Sequence, residues 1–318
     1  MGFLDARKPR AWASDWSADL GYSAEQFTYG IELEAIDFDW GTKRACPEGA
    51  YISSELAVVN SDGYAFRVGE TTKGGELNTN PTVTIPEQVE IVRRFNELYP
   101  EAKTQHRLKF QVHVGVPGLA DDVVALKRLA EYTFRNVETF YNRHFNFTCK
   151  PICQQYGREG SVWYRYVSYD RSVMPWWRCD QVMQATTPQE FWRFYMLDKS
   201  GEYKPMQARR YGVNMLMLKR QGTVEFRHFF PTTKPQEVQS CLEYSREFLV
   251  AALRTGEPID SVLDRNPHWR FPPEPQFDPE MEKAFRATRY KEDAKSKQKY
   301  VLVGAKNCGG ASREGKSW

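Results

Sequence analysis

The 318-residue chain lacks any long apolar run, and its cysteines are few and unpaired in spacing. No segment approaches the ~20 consecutive apolar residues that cross a bilayer. The first ten residues contain no apolar segment of the kind found in a secretory signal. We therefore expect a cytoplasmic protein without membrane association. In that compartment the six cysteines are expected to be reduced thiols.

The chain also lacks the common phosphate-binding and zinc-binding signatures. It has no Walker motif and no dinucleotide fingerprint, and the glycines at 157 and 160 are too close together for a phosphate loop. Cys149, Cys153 and Cys179 do not have the paired spacing of a zinc site, so buried free thiols are expected. These absences exclude the P-loop and Rossmann classes and argue against a structural zinc centre.

No large excess of one charge is present, but the charge is unevenly distributed. The net charge is +3, and residues 286–318 contain nine Lys and Arg against three Asp and Glu. The tail therefore contributes +6, and the remaining body carries 3 − 6 = −3. Nucleic acid is a partner that this balance permits but does not support.

The segmentation predicts an N-terminal arm at 1–26, a catalytic domain at 27–285 and a basic flexible tail at 286–318. An aromatic insert, read as irregular, occupies about 150–185 of the domain. Helices are predicted at 86–99, from Asp121 to about 141, at 188–194 and at 235–254. Two hairpin-like pairs, the clearer one formed by 212–219 and 222–230, favour an antiparallel sheet with helices on one face. The expected class is α+β.

Three predicted strands each combine an apolar face with an ionisable face, because side chains at i and i+2 point the same way. The ionisable faces carry Glu32 with Glu34, Gln111 with His113, and Glu225 with Arg227. A sheet with one solvated face explains any single strand more simply. Solvated faces usually carry Lys, Thr and Ser, however, so the recurrence of Glu, His and Arg favours a site.

If these faces converge, four carboxylates meet: Glu32, Glu34, Glu76 and Glu225. Like charges at close range raise one another's pKa and destabilise the fold, and a divalent cation removes that cost. Oxygen ligands with the single imidazole of His113 suit Mg²⁺ or Mn²⁺ better than zinc. Carboxylates beside a guanidinium describe a site for polyphosphate.

Six ordered segments resemble the motifs of the amidoligase family, whose catalytic fold is similar to that of glutamine synthetase and glutamate–cysteine ligase. They are Tyr29-Gly-Ile-Glu-Leu-Glu34, Ser61-Asp-Gly63, Gly75-Glu-Leu-Asn-Thr-Asn-Pro81, Gln111-Val-His-Val-Gly115, Arg210-Tyr-Gly-Val-Asn214 and Gly222-Thr-Val-Glu-Phe-Arg-His-Phe229. The resemblance spans about 27–252. Gln111 stands where many members have a histidine. The part of the insert at 157–178 matches no motif, so acceptor specificity is expected there.

The resemblance implies a ligase that uses ATP to phosphorylate a carboxylate, after which an amine attacks the acyl phosphate. It places Mg²⁺ or Mn²⁺, in two or more copies, on Glu32, Glu34, Glu76 and Glu225. His113 would contact a metal or the nucleotide phosphates. Arg227 would hold the acyl phosphate or substrate carboxylate, and Arg210 the γ-phosphate. Asp62 would orient or deprotonate the amine. No protein nucleophile is needed.

Two other functions fit the same residues. One is a non-catalytic binding or scaffold protein with this sheet. The retained Glu, His and Arg residues argue against that function. The other is a metal-dependent phosphoryl-transfer enzyme that forms no amide. The partners expected for the ligase are a carboxylate donor and an amine acceptor. The aromatic insert and basic tail raise the hypothesis that one of them is macromolecular or polyanionic; the alternative is a solvated tail without a role.

Overall fold

The computed structural model describes residues 18–36, 38, 45–53, 74–104, 108–144, 174, 176–198, 200–208 and 211–273. The strands are β1 (Thr28–Ile36), β2 (Ala50–Ser53), β3 (Gly74–Thr79), β4 (Phe110–Gly115), β5 (Val213–Asn214) and β6 (Thr223–Phe226). The α-helices are α1 (Ile85–Leu98), α2 (Val123–His144), α3 (Trp176–Met183), α4 (Pro188–Met196), α5 (Pro205–Ala208), α6 (Leu216–Gln221), α7 (Pro235–Val250) and α8 (Ile259–Arg265).

The strands form one antiparallel sheet in the order β2-β3-β1-β4-β6-β5. Each neighbouring pair is antiparallel, including the central pairs of β1 with β3 and with β4. The expected α+β class with an antiparallel sheet is therefore confirmed. Since β1 lies between β3 and β4, its polar side chains have neighbours on both sides.

One face of the sheet is the hydrophobic core. Its buried side chains are those predicted from the alternation: Ile31, Leu33, Val112, Val114, Val224 and Phe226. Helices α1 and α7 pack against each other, α1 also contacts β1, and α7 contacts β4. The ionisable side chains of β1, β4 and β6 are consequently left to the opposite face.

Helix α1 shows how local sequence sets an element boundary. Thr84 and Glu87 form a capping box, in which the Thr84 hydroxyl accepts from the Glu87 N–H and the Glu87 carboxylate accepts from the Thr84 N–H. The buried Gln88 amide then donates to the carbonyls of Tyr29 and Asn80. The helix predicted at 86–99 is thereby confirmed and is tied to the end of the sheet.

The predicted hairpin at 212–230 is correct in its strand pairing, but the turn predicted between the two strands is wrong. Its two strands do pair, but β5 is only two residues long, and helix α6 replaces the expected turn. The segment from Leu216 to Gln221 is made of good helix formers. Gly222, at φ +74°, ends the helix in the left-handed conformation that glycine adopts without strain. Burial of Leu216 and Leu218 overrides the alternation that suggested a strand.

Other boundaries also differ from expectation. Asp122, rather than Asp121, caps α2, because its carboxylate accepts from the N–H groups of Val124 and Ala125. The insert read as irregular contains α3, and α8 was not predicted. The basic tail expected at 286–318 lies outside the described residues.

The described part of the N-terminal arm, from residue 18 onwards, contacts the body of the protein. Asp19 and Arg254 form an ion pair, and the Leu20 N–H donates to the Leu253 carbonyl at 3.1 Å. Among the described cysteines, Cys46, Cys179 and Cys241 are free thiols. Within the described ranges, no helix combines the length and the apolar character needed to pass through a membrane.

Gly115 gives a test of the β1–β4 register. A Cβ added there would lie 2.2 Å from the Thr28 Oγ1, whereas the Thr28 Cβ is 3.6 Å away, an ordinary contact. We expect Gly115→Ala to lower the free energy of unfolding by about 1–3 kcal/mol, the usual cost of overpacking. Combining it with Thr28→Ala should recover more than half of that loss in urea denaturation. An additive double mutant would contradict the register.

Candidate functional site

The strand register arranges the polar face in rows that cross the sheet. One row contains Tyr51, Asn78, Glu32 and Gln111. The next contains Gly30, His113, Glu225 and Asn214. On the other side of the first row lie Ser53, Glu76 and Glu34. The ionisable residues of β1, β3, β4 and β6 therefore share one face, which the sequence analysis treated as a condition.

His113 is at the centre of the candidate site. Its Nε2 lies 3.3 Å from a carboxylate oxygen of Glu32 and 3.9 Å from one of Glu225, while its Nδ1 lies 3.2 Å from the Thr223 hydroxyl. Burial lowers the pKa of His113, but the neighbouring carboxylates of Glu32 and Glu225 outweigh it, so the net pKa is raised. The imidazole is thus oriented with Nε2 towards both carboxylates.

Glu225 is held by donors on both of its oxygens. Asn214 Nδ2 donates to Oε2, and Arg227 Nη1 donates to Oε1. The same Arg227 nitrogen donates to Gln111 Oε1 at 2.5 Å. Glu225 is 2 % exposed and Arg227 is 5 % exposed, so this is a buried ion pair with amide support.

Glu32, His113 and Glu225 form a candidate metal site. Their ligating atoms all lie within 4.8 Å of one another. Among the described residues, this is the one group of three His, Cys, Asp or Glu side chains that lie close enough to share an ion. Two carboxylates and one imidazole offer hard oxygen donors and one nitrogen, a set that suits Mn²⁺ or Mg²⁺ when phosphate oxygens complete the coordination. The donor chemistry therefore fits a divalent cation.

Glu34 and Glu76 lie opposite each other on β1 and β3, on the same face but outside that three-residue group. The Glu34 carboxylate accepts the N–H of Lys109 at 2.9 Å. The three-residue group thus contains two of the four carboxylates, and the other two lie beside it on the same face. Without a metal, Arg227 already compensates Glu225, and a backbone donor serves Glu34, so the expected repulsion is relieved from within the protein.

Two of the predicted residues, Asp62 and Arg210, lie outside the described residues. Asn214 and Gln111 are part of the site, but the sequence analysis gave them no role, although both stand in the quoted motifs. Asn214 holds Glu225, and Gln111 accepts from Arg227. The signal that finds Gln111 is its i+2 relation to His113. Asn214 has no such signal, because β5 is too short to show alternation.

The buried pair reverses a simple expectation about Glu225. Relief of carboxylate repulsion alone would make Glu225→Gln stabilising in the metal-free protein. The structure indicates the opposite, because the substitution removes the carboxylate charge to which the buried Arg227 guanidinium donates. We expect Glu225→Gln to lower the free energy of unfolding by about 3–5 kcal/mol in the presence of a chelator.

The control is a double-mutant cycle with Arg227→Gln, measured by chemical denaturation. The double mutant Glu225→Gln, Arg227→Gln should be less destabilised than the sum of the two single mutants, since each single mutant loses the same Glu225–Arg227 interaction. An unchanged or higher melting temperature for Glu225→Gln alone would contradict the role assigned to the pair.

Comparisons with known proteins add no relative to this picture. The chain matches no model of a protein family, and neither the curated proteins nor the solved structures give a significant match. The case for a function therefore depends on the residues of the site, on their geometry and on the ordered motifs in the sequence.

Proposed function

We propose that the protein is an ATP-dependent carboxylate–amine ligase that works with Mg²⁺ or Mn²⁺. The observation that carries this proposal is the Glu32–His113–Glu225 group beside the buried guanidinium of Arg227. A metal site next to a fixed cation is the arrangement that phosphoryl transfer requires. The antiparallel sheet with one polar face agrees with the resemblance to the amidoligase family. A glutamine synthetase-like arrangement of the fold is part of the same proposal.

The roles of the described residues follow from their contacts. Glu32, His113 and Glu225 would hold a cation, whose charge would neutralise phosphate oxygens. With a cation held at Glu225, the carboxylate would have a second source of positive charge, and Arg227 would be able to donate to an acyl phosphate or carboxylate. Gln111, which accepts from Arg227 Nη1, keeps that side chain in place. Glu34 and Glu76 would extend the metal site along the same face.

A metal-dependent phosphoryl-transfer reaction without amide formation is the second candidate. The observation that favours it is that the described site supplies groups for a metal and for phosphate. Asp62, the residue proposed to act on the amine, lies outside the described residues. The two candidates share every described residue and differ only in whether an amine is consumed.

Product analysis separates the candidates. With Mg²⁺, ATP and pooled carboxylates and amines, we expect ADP and phosphate to form only when both an acid and an amine are present. The physical reason is that an acyl phosphate held in the site stays bound until an amine attacks it, so the enzyme turns over only with both substrates. Chromatography of the nucleotides and mass spectrometry of amide products provide the measurement.

Each other product pattern points elsewhere. AMP and pyrophosphate would contradict the ligase proposal, since they indicate an acyl adenylate. Release of ADP that does not depend on an amine would favour phosphoryl transfer. Unchanged ATP in every mixture, together with tight binding of a ligand, would favour the non-catalytic binding protein.

Metal binding has its own test. We expect Mn²⁺ to raise the melting temperature of the wild type, by an amount equivalent to about 2.7 kcal/mol at 100 times its Kd. Glu32→Gln should abolish most of this response, because it removes a charged ligand. Glu48→Gln is the matched control, since the Glu48 side chain is 92 % exposed and should keep the full response. Equal responses in all three proteins would contradict the metal site.

A further inference from the structure

Arg178 is a buried cation whose charge has no acidic partner within the described part of the chain. Its side chain is 0 % exposed, and it lies in α3, at the end of the insert segment that matches no amidoligase motif. An arginine cannot lose its proton to escape burial, as a lysine can. A buried guanidinium therefore needs either a counter-charge or a full set of hydrogen bonds.

The hydrogen bonds of Arg178 leave one edge of the guanidinium unused. Nη1 donates to the carbonyl of Tyr195, whereas Nε and Nη2 have no hydrogen-bond partner in the described structure. The N–H groups of Nε and Nη2 point in parallel from the same edge. Their spacing matches two oxygens of a carboxylate or of a phosphate, which is the bidentate geometry preferred by arginine.

Two aromatic rings hold the guanidinium. Its central carbon lies 4.8 Å from the centroid of the Trp177 ring and 5.5 Å from that of Tyr211. Such contacts stabilise a cation and restrict its orientation, but a ring face offers no acceptor to the Nε–Nη2 edge. Packing alone therefore explains where the side chain sits and does not explain the two unsatisfied donors.

A chain of contacts connects Arg178 to the candidate metal site. The Tyr195 carbonyl accepts from Arg178, and the Tyr195 hydroxyl accepts the N–H of Met215 at 3.2 Å. Met215 follows Asn214, which donates to Glu225. Arg178 is thus linked to Glu225 through Tyr195, Met215 and Asn214.

We propose that the Nε–Nη2 edge of Arg178 is a binding site for an oxyanion, a carboxylate or phosphate group of the acceptor substrate. The assignment to the acceptor rests on the proposed ligase function, because the acyl-phosphate chemistry is placed at Arg227. The oxyanion site itself rests only on the burial and the unsatisfied donors. Trp177 is half-buried and its ring lies over the guanidinium, so its fluorescence is a readout of anion binding there.

The test measures anion binding without metal and without nucleotide. In EDTA and at constant ionic strength, sodium phosphate and sodium acetate are titrated separately against chloride, with the melting temperature and tryptophan fluorescence as readouts. We expect a saturable rise in melting temperature for the wild type with one anion or both. Tighter binding of acetate identifies a carboxylate ligand, and tighter binding of phosphate identifies a phosphate ligand.

The variants separate an anion site from a purely structural arginine. Arg178→Lys keeps the charge but loses the fork, so its anion affinity should fall by about tenfold, and Arg178→Gln should lose the response. Arg193→Gln, which removes an exposed arginine from the same helix as Tyr195, should respond as the wild type does. If Arg178→Gln fails to fold, the lysine variant decides.

Two results would overturn the proposal. One is a wild type without a saturable anion response, and the other is an Arg178→Lys variant that binds the anion as tightly as the wild type. Because neither ATP nor metal is added, a failed ligase assay leaves this result unaffected. Conversely, the ligase assay could succeed while Arg178→Lys leaves the acceptor kinetics unchanged. That result would reject the link to the acceptor, and the binding data alone would then decide whether the anion site exists.

Discussion

The buried pair of Glu225 and Arg227 is the interaction on which the polar face depends. Both charges are removed from water on a strand whose alternate side chains form the core. Burial of two charges is tolerated when hydrogen bonds offset the loss of water, and Asn214 and Gln111 supply one each from the neighbouring strands. The pair therefore links β5, β6 and β4 on the polar face.

The alternation of side chains made most of this face predictable. Glu32, His113 and Glu225 were brought together by the period of two and by the antiparallel pairing, and the structure places them within 4.8 Å. What could not be predicted was the balance of charge. Whether four carboxylates repel one another depends on which donors reach them, and the Lys109 N–H and the Arg227 guanidinium are set by register and rotamer.

The helical errors have a different cause. Segment 216–221 carries apolar residues that fit a strand as well as a helix, and only burial against the rest of the core decides between them. Helix α3 was hidden because aromatic residues are poor indicators of either structure outside their packed context. The role of Arg178 could not be predicted either, since it depends on Tyr195, Trp177 and Tyr211, which only the tertiary structure brings together.

Arg227 and Arg178 are both buried cations, but among the described residues they differ in whether a carboxylate lies beside them. Arg227 donates to the carboxylate of Glu225, so under the proposed function it would serve a substrate once a cation is held at Glu225. Arg178 has no carboxylate partner among the described residues, and its Nε and Nη2 make no hydrogen bond there. Under the proposed function, that difference makes binding of the acceptor independent of the nucleotide and makes the acyl-phosphate step dependent on the metal.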